Sequence, residues 1–435
     1  MTTLRAELRS PLEQIAFDYA HQTKVLNGQA NSLLSTLRHR AFAELQRIGI
    51  PTVRHEEWKY TNLFSLLAKG FLHETFDGDV PSFDESYSAI RRWGRIVPLY
   101  NGLLIEKESL PSIVQSLSIA LHDQTWFERL GTLAPIEGNA IVAWNTAFLH
   151  DGVVLDVRSD ESEPLVLVSI LDARTNNVVV HERHLVNLAP RASLTLVLVQ
   201  RALGEGEALL NQVLEGRVGE EATLRLIVIQ DASASCHSIT THELEVDRLA
   251  RVELITVSIG GGFVRNMPAV RLTGEGADAQ LYGLTLADGT MLVDHHTTVE
   301  HRVPNCTSNE LYKAILDGRS TGVFNGKILV QPRAQKTAAY QANRNIILSS
   351  RATINTKPQL EIFANDVRCS HGCTVGRLDR EALFYLRSRG LSKQEAEALL
   401  LAAFAEEITA TIPLETIRSD LNARIEHLLH ADELA

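Results

Sequence analysis

The residues best suited to chemistry lie together near position 370. Cys369, His371 and Cys373 place two thiols and an imidazole within five residues, separated by Ser370 and Gly372. Thiolate and imidazole are ligands that iron and zinc take in proteins. In a β-strand all three side chains share one face, with consecutive ligands about 6–7 Å apart. One metal ion would then bind one or two of them, and such a row suits a site completed by a second subunit.

A zinc site, an iron–sulfur site and a half-buried strand of small polar residues all stay open on these residues alone. Structural zinc needs four ligands, and its cysteines are usually spaced by two to four residues. The remaining thiols, Cys236 and Cys306, are isolated and predicted to pack as small apolar side chains. Stacked coils would bring a set of histidines together, although ordinary packing is the favoured interpretation. The set is His237, His242, His295, His296 and His301.

Composition limits the classes of function. The chain has 435 residues, 45% hydrophobic and 22% charged, as in ordinary soluble globular proteins of two or three domains. A net charge of −11 without a basic block argues against nucleic acid or an anionic membrane as the main partner. No signal peptide or membrane-spanning run is evident, and four scattered cysteines predict a reducing cytoplasm. Motifs for phosphate binding, a nucleophile elbow and zinc proteolysis are absent, so we expect a non-catalytic protein.

A central repeat must position the Cys–His–Cys row. Similar segments begin at Ala192, Ala222, Ala250 and Ala279, which are 30, 28 and 29 residues apart. Leu214, Leu244 and Leu272 each follow the alanine of their own repeat by 22 residues. Each repeat is therefore predicted to contain an outgoing and a returning strand. Repeats of this length without a helical pattern favour a β-solenoid, and a β-sandwich is the alternative.

Helices are expected on both sides of the repeat. Near the N-terminus, Ser10 and Pro11 are typical of a helix start, and Ser32–Ile48 has an apolar face that includes Leu33. After Asp379 three short helices are predicted, which either cap the last coil or present a docking surface. The predicted regions are 1–150 (helical and mixed), 151–378 (β-solenoid) and 379–435 (helical).

Several segments resemble the SufB/SufD family of iron–sulfur cluster assembly proteins. They are Gly322–Gly326, Gln335–Thr337, Thr356–Ile362, Asp366–Gly376, Phe384–Gly390 and, near the N-terminus, Glu56–Thr61. The resemblance implies a right-handed parallel β-helix flanked by helical regions. It also implies a cytoplasmic scaffold that holds no permanent cofactor.

Within the family the chain is similar to the SufD branch. SufB-type sequences carry a cysteine where Asn343 stands, and glutamates flank the matching histidine where this chain has Ser370 and Gly372. Neither asparagine nor glycine replaces a thiolate or carboxylate ligand. The resemblance implies that Cys369 and His371 face a SufB subunit and take iron or a nascent cluster transiently. Cys373 departs from the SufD pattern, in which alanine is common at this position.

A second partner is implied by the same resemblance. SufC, an ABC-type ATPase, would dock on the C-terminal helices and supply the ATP chemistry that this chain lacks. The residues predicted for docking are Phe384, Tyr385, Arg387, Arg389, Leu399 and Phe404. Whether the isolated chain forms a homodimer stays open. The competing hypotheses are a SufB-like main scaffold and a β-helix carbohydrate-active enzyme, the latter disfavoured because no acidic ladder runs through the repeats.

Overall fold

The computed structural model describes residues 10–28, 32–73, 88–105 and 110–430. Its α-helices are α1 Pro11–Gly28, α2 Ser32–Ile48, α3 Leu63–Leu67, α4 Leu117–Ala120, α5 Gln124–Arg129, α6 Ala140–Ala147, α7 Arg380–Ser388, α8 Lys393–Thr409 and α9 Glu415–His430. Short 3-10 helices span Glu56–Trp58 and Ser88–Trp93. Within the described residues, no helix is both long and apolar enough to span a bilayer.

The described residues also contain twenty strands. They are β1 Leu72–His73, β2 Arg95–Tyr100, β3 Leu103–Leu104, β4 Val114–Ser116, β5 Asp151–Val157, β6 Leu165–Asp172, β7 Val178–Leu188, β8 Ser193–Leu203, β9 Ala208–Val218, β10 Thr223–Gln230, β11 Cys236–Val246, β12 Arg251–Ser258, β13 Phe263–Leu272, β14 Asp278–Ala287, β15 Leu292–His301, β16 Thr307–Leu316, β17 Thr321–Val330, β18 Thr337–Ile347, β19 Thr353–Ile362 and β20 Val367–Gly376.

From β5 onward the strands alternate between two parallel sheets. Odd-numbered strands to β19 form sheet A, and even-numbered strands to β20 form sheet B. Each strand pairs with the strand two positions along the chain, so every coil contributes one strand to each sheet. The result is a parallel β-solenoid of about eight turns, which confirms the predicted fold class and excludes the sandwich. The domain boundaries predicted at 150 and 378 stay predictions, and residues 1–9, 29–31, 74–87, 106–109 and 431–435 lie outside the described residues.

Alternation along each strand sorts the side chains into inward and outward rows. Inward Leu194, Leu224 and Leu254 belong to one aliphatic cluster that runs along the solenoid interior. Outward Val197 and Ile227 pack instead beneath the C-terminal helices. Where both faces of sheet B are covered, as along β6, the strand is a nearly continuous apolar run.

The strand register corrects the repeat alignment. Backbone hydrogen bonds between coils align Ala192, Ala222, Ala250, Ala277 and Cys306 at one corner. The prediction that Ala279 continues this column is wrong by two residues, since Ala279 lies beside Val252. The leucine column is wrong for the same reason, because Leu214 lies beside His242 rather than Leu244. A slip of two residues keeps each side chain on its own face, so the apolar pattern does not reveal it.

The helical starts follow the predicted capping chemistry. Ser10 Oγ accepts from the Glu13 amide at 3.3 Å, and the Asp379 carboxylate accepts from two amides of α7. Ser392 and Glu395 form a capping box at the start of α8, as the Ser-x-x-Glu spacing predicts. The predicted apolar face of α2 packs against the core through Leu37, Phe42 and Leu45, whereas Leu33 at its start is exposed.

The C-terminal helices do not cap the last coil. Their apolar residues pack against the outer face of sheet B, where Leu401, Ile408 and Ile417 join the aliphatic side chains of β8, β10 and β12. The third helix begins at Glu415, after the predicted start at proline. No helix among the described residues therefore covers the final turn of the solenoid.

A buried ion pair fastens the N-terminal region to sheet A. The guanidinium of Arg265 is almost fully buried and pairs with the Asp294 carboxylate. The same guanidinium donates to the Glu57 carbonyl at 2.8 Å and lies 3.8 Å from the Trp58 ring centroid. Thr61 also donates to Asp294. Burial alone would raise the pKa of Asp294, but the Arg265 charge and its hydrogen bonds lower it. The Glu56–Thr61 segment is thus an anchor between two parts of the chain.

Replacement of Asp294 should expose the cost of this buried charge. In Asp294→Asn the Arg265 guanidinium keeps its place but loses its counter-ion, and we expect the free energy of unfolding to fall by about 3–5 kcal/mol. Urea denaturation of the full chain measures the change. The matched control is Glu137→Ala, which removes a fully hydrated pair with Arg40 and should cost less than about 1 kcal/mol. Equal losses in both variants would contradict the anchor.

Candidate functional site

The Cys–His–Cys row lies on β20, the final strand of sheet B. Backbone and side-chain contacts hold this strand against β18: the Gln335 side chain accepts from the Asp366 amide at 2.9 Å, and Asn345 Nδ2 donates to the Thr374 carbonyl at 3.1 Å. Its other edge pairs with no strand among the described residues. Strand β19 has the same terminal position in sheet A. Both sheets therefore end in an open edge at one end of the solenoid.

All three residues of the row occupy inward positions. In the register of β18 with β20, Cys369 lies beside Ala339, His371 beside Gln341, and Cys373 beside Asn343. These three neighbours on β18 are buried in the interior. Cys369 itself packs with the small cluster around Ala339. On the preceding coils the corresponding positions line the solenoid interior, but on the last coil none of the described residues covers the row.

The three groups differ in their access to solvent. Cys369 is half-buried, and burial raises the pKa of its thiol, although a hydrogen bond from the Ala339 amide acts in the opposite direction. His371 and Cys373 are exposed. Across the described part of the chain, no three Cys, His, Asp or Glu side chains converge in a geometry for a metal ion. The row is thus a line of separate donors, not a closed cage.

Apolar side chains surround the open end. Phe363 follows β19 and is 60% exposed. Other large exposed apolar residues on the last two coils are Tyr340, Leu348, Ile362 and Val375. Such a patch beside two unpaired sheet edges is typical of a protein–protein contact surface.

Asn343 fills the interior position beside Cys373. Its amide nitrogen donates to the Tyr312 carbonyl at 3.2 Å, and its oxygen accepts from Asn345 at 2.6 Å. Both ends of the amide are satisfied, so this side chain is a buried structural group. The exposed thiol of the pair lies one strand further out, at Cys373.

The central histidines are not brought together. His237 faces outward on β11, whereas His295 faces the interior on β15. Burial lowers the pKa of His242 to about 3 and those of His295 and His301 to about 4. Hydrogen bonds to hydroxyl groups hold the last two rings: His295 to Thr285 at 3.0 Å, and His301 to Ser308 at 2.9 Å. They are neutral interior residues, as the favoured interpretation of ordinary packing predicted, and the alternative in which stacked coils bring His237 and His295 together is wrong.

The C-terminal helices expose part of the predicted docking set. Phe384 is 75% exposed, and Tyr385 and Leu399 are also on the surface. The guanidinium of Arg389 lies 5.1 Å from the Tyr385 ring centroid. Arg387 is exposed as well. Phe404 differs, since its half-buried ring packs against sheet B beneath the Lys313 ammonium, 4.1 Å from the centroid.

Comparison with protein families decides the affiliation. Residues 170–404 match the domain described as "SUF system FeS cluster assembly, SufBD core domain", and residues 12–162 match the SufBD protein N-terminal region. The chain belongs to the SufBD family.

Individual SufBD relatives agree over most of the chain. An iron–sulfur cluster assembly SufBD family protein of Synechocystis sp. is 31% identical over 418 residues, 91% of each chain. The iron–sulfur cluster assembly protein SufD of Escherichia coli is 28% identical over 386 residues, 88% of this chain and 90% of that protein. A SufBD family protein of Mycobacterium tuberculosis is 35% identical over 224 residues, 50% of this chain.

Sequence reasoning missed the polar interior behind the row. Glu310 is completely buried on β16, and burial raises the pKa of its carboxyl group to about 7. Thr297 donates to it at 2.7 Å and Gln341 at 3.3 Å. The available signal was the alternation around Glu310, where Ser308 and Tyr312 occupy the same face, but such a pattern equally predicts an outward polar face.

The four thiols of this SufBD protein should react in the order of their exposure. With iodoacetamide near neutral pH, we expect Cys373 to be alkylated first and Cys369 several-fold more slowly, because burial disfavours its thiolate. Cys236 and Cys306 are fully buried and should react only after unfolding in urea, which is the control. Mass spectrometry of peptides gives the rates. Equal rates at Cys369 and Cys373 would contradict the partial burial of Cys369.

Proposed function

We propose that this SufBD protein is a SufD-like scaffold subunit of a SufBCD-type complex that assembles iron–sulfur clusters in the cytoplasm. Membership in the family and the 28% identity to E. coli SufD support this assignment. The observation that carries it is the uncovered last coil, which presents donors from β20 beside open sheet edges and exposed apolar side chains. A surface of this kind is incomplete without a partner.

The partner proposed for the open end is SufB. Strands β19 and β20 are ten residues long, so each offers about 33 Å of unpaired edge. A second solenoid end can pair with such edges or cover them, and Phe363 and Val375 would be buried in the contact. When SufB is absent, a second copy of this chain is the proposed occupant of the same surface.

At this interface the chain would contribute ligands to iron in passage. His371 supplies a neutral imidazole nitrogen. Cys369 would lose its proton on binding iron, because the thiolate is the form that ligates. Cys373 is a third donor on the same row. Since consecutive positions of the row are about 6–7 Å apart, the remaining ligands of any one ion would come from SufB.

SufC is the proposed partner of the C-terminal helices. Phe384, Tyr385 and Leu399 are apolar side chains on α7 and α8 that the other described residues leave exposed. Aromatic side chains of this kind are common anchors of protein interfaces. ATP hydrolysis would take place in SufC.

A mechanical connection joins the docking surface to the site. Glu407 on α8 pairs with the buried Lys313 on β16 and, at 3.2 Å, with Arg344 on β18. Strand β18 is the direct neighbour of β20. Displacement of α8 by SufC would therefore act on the strand that supports His371.

The SufB-like alternative is weaker. A main scaffold needs a thiolate where Asn343 lies, and that amide is buried and fully hydrogen-bonded. Iron and sulfide content of the isolated chain after anaerobic reconstitution would separate the two roles. A stable cluster on the isolated chain favours the main scaffold.

Loss of His371 should impair cluster assembly without dissolving the complex. In His371→Ala the imidazole donor disappears from an exposed position, so we expect a cluster yield at least several-fold lower and unchanged co-purification of SufB and SufC. Iron and sulfide analysis of the purified complex measures the yield. The control is His122→Ala, which removes an exposed histidine that is distant in sequence from β20. An unchanged yield in His371→Ala would remove the residue from the mechanism.

Truncation of the aromatic surface should weaken SufC binding. For Phe384→Ala combined with Tyr385→Ala, we expect at least a tenfold loss of affinity, or about 1.4 kcal/mol, because two exposed rings would no longer be buried. Calorimetric titration with SufC gives the affinity. The control Phe64→Ala removes an exposed ring on α3 and should have no effect. If both variants bind SufC equally well, the docking surface lies elsewhere.

A further inference from the structure

Gln341 lies between the candidate ligand His371 and the buried carboxyl group of Glu310. The strand register puts Glu310, Gln341 and His371 in a single inward column across β16, β18 and β20. Adjacent strands are about 4.8 Å apart, so Gln341 is the direct neighbour of His371, and Glu310 is twice as far away. Glu310 is too distant to share an ion with His371, but Gln341 can touch both residues.

Only one end of the Gln341 side-chain amide has a hydrogen-bond partner. Its nitrogen Nε2 donates to Glu310 Oε2 at 3.3 Å. Its oxygen Oε1 is buried and has no hydrogen-bond partner. A buried carbonyl without a hydrogen-bond partner is destabilising relative to one that is bonded. Because Nε2 is hydrogen-bonded to Glu310 on β16, Oε1 is the atom that can accept a hydrogen bond from β20, the strand that carries His371.

The fold leaves space for this amide. Gly326 lies opposite on sheet A, and a Cβ added there would come within 2.4 Å of Gln341 Nε2 and 2.6 Å of the Phe324 ring. Any other residue at 326 would displace the glutamine. The carboxylate at the other end is also fixed, because Thr297 donates to Glu310 Oε2 at 2.7 Å. Gln341 is therefore held in one orientation by groups on three strands.

We propose that Gln341 is a positioning residue for His371, whose ring N–H it accepts through Oε1 when the other ring nitrogen ligates iron. The inference rests on the proposed function of His371 and adds a residue that does not itself touch the metal. Histidines that ligate metals usually donate their second ring nitrogen to a carbonyl or carboxylate, which fixes the tautomer and the ring plane. Loss of such a partner typically lowers metal affinity tenfold to a hundredfold.

The test measures Fe(II) binding to the complex of the full chain with its proposed partners, by anaerobic competition with a chromophoric chelator. Gln341→Leu keeps the size of the side chain and removes the acceptor, so we expect the Fe(II) affinity to fall at least tenfold. Gln341→Glu keeps an acceptor oxygen and should stay within about threefold of the unmodified protein. The matched control is Gln230→Leu, which removes an equally buried interior glutamine from β10, far from β20.

The outcomes separate this inference from the proposed function. If His371→Ala loses Fe(II) but Gln341→Leu does not, the role of Gln341 is wrong and that of His371 stands. Equal losses in Gln341→Leu and Gln230→Leu would mean general damage to the interior, which also overturns the positioning role. If His371→Ala binds Fe(II) as well as the unmodified complex, or if that complex binds none, both proposals fail. A loss confined to Gln341→Leu, with recovery in Gln341→Glu, supports the inference.

Discussion

The coil-to-coil ladder of parallel strands is the constraint on which the rest of this structure depends. A parallel strand finds its hydrogen-bond partners on the coils before and after it, and every buried backbone group needs one. At the N-terminal end the problem is solved locally, because β3 and β4 pair antiparallel with β2 and β5. At the C-terminal end α8 and α9 pack on the flank of sheet B, and the last coil stays open. The same ladder that stabilises the rod therefore creates one unsatisfied end.

Stacking in register also allows polar side chains to be buried in the interior with their hydrogen bonds satisfied. A lone polar group inside a core costs several kcal/mol, but aligned coils bring its partners from neighbouring strands and from the opposite sheet. Glu182 accepts from Ser169 across the interior at 2.6 Å and from Gln212 on the next coil at 3.0 Å. Aliphatic columns such as that of Leu224 fill the other part of the interior and supply the apolar burial. Polar columns reach the open end, where their last members are His371 and Cys373.

The sequence patterns predicted the individual helices and strands of this SufBD protein better than they predicted the register and packing of these elements. Caps at Asp379 and Ser392 depend on local chemistry, and both were predictable. The register was not, because a two-residue slip, as at Ala279, preserves the alternation that the pattern records. An apolar stripe on α8 likewise predicts that this face of the helix is buried, but not which surface it packs against. Packing on the outer face of sheet B and packing on the end of the solenoid were equally compatible with the stripe. Interior polar residues such as Glu310 are indistinguishable in sequence from outward ones until the sheets are in place.

The placement of the thiols bears on the division of labour proposed for the complex. At the buried position beside the last strand the chain has Asn343, whose amide is hydrogen-bonded at both ends and supplies no thiolate for iron. Every donor that solvent reaches on this row lies on β20, one strand further out. A donor on the final strand can be reached from outside the solenoid, whereas a donor on β18 would be reached only through the interior. A chain built in this way is suited to offering ligands across an interface, and a partner that keeps a thiol at the inner position would hold the cluster itself.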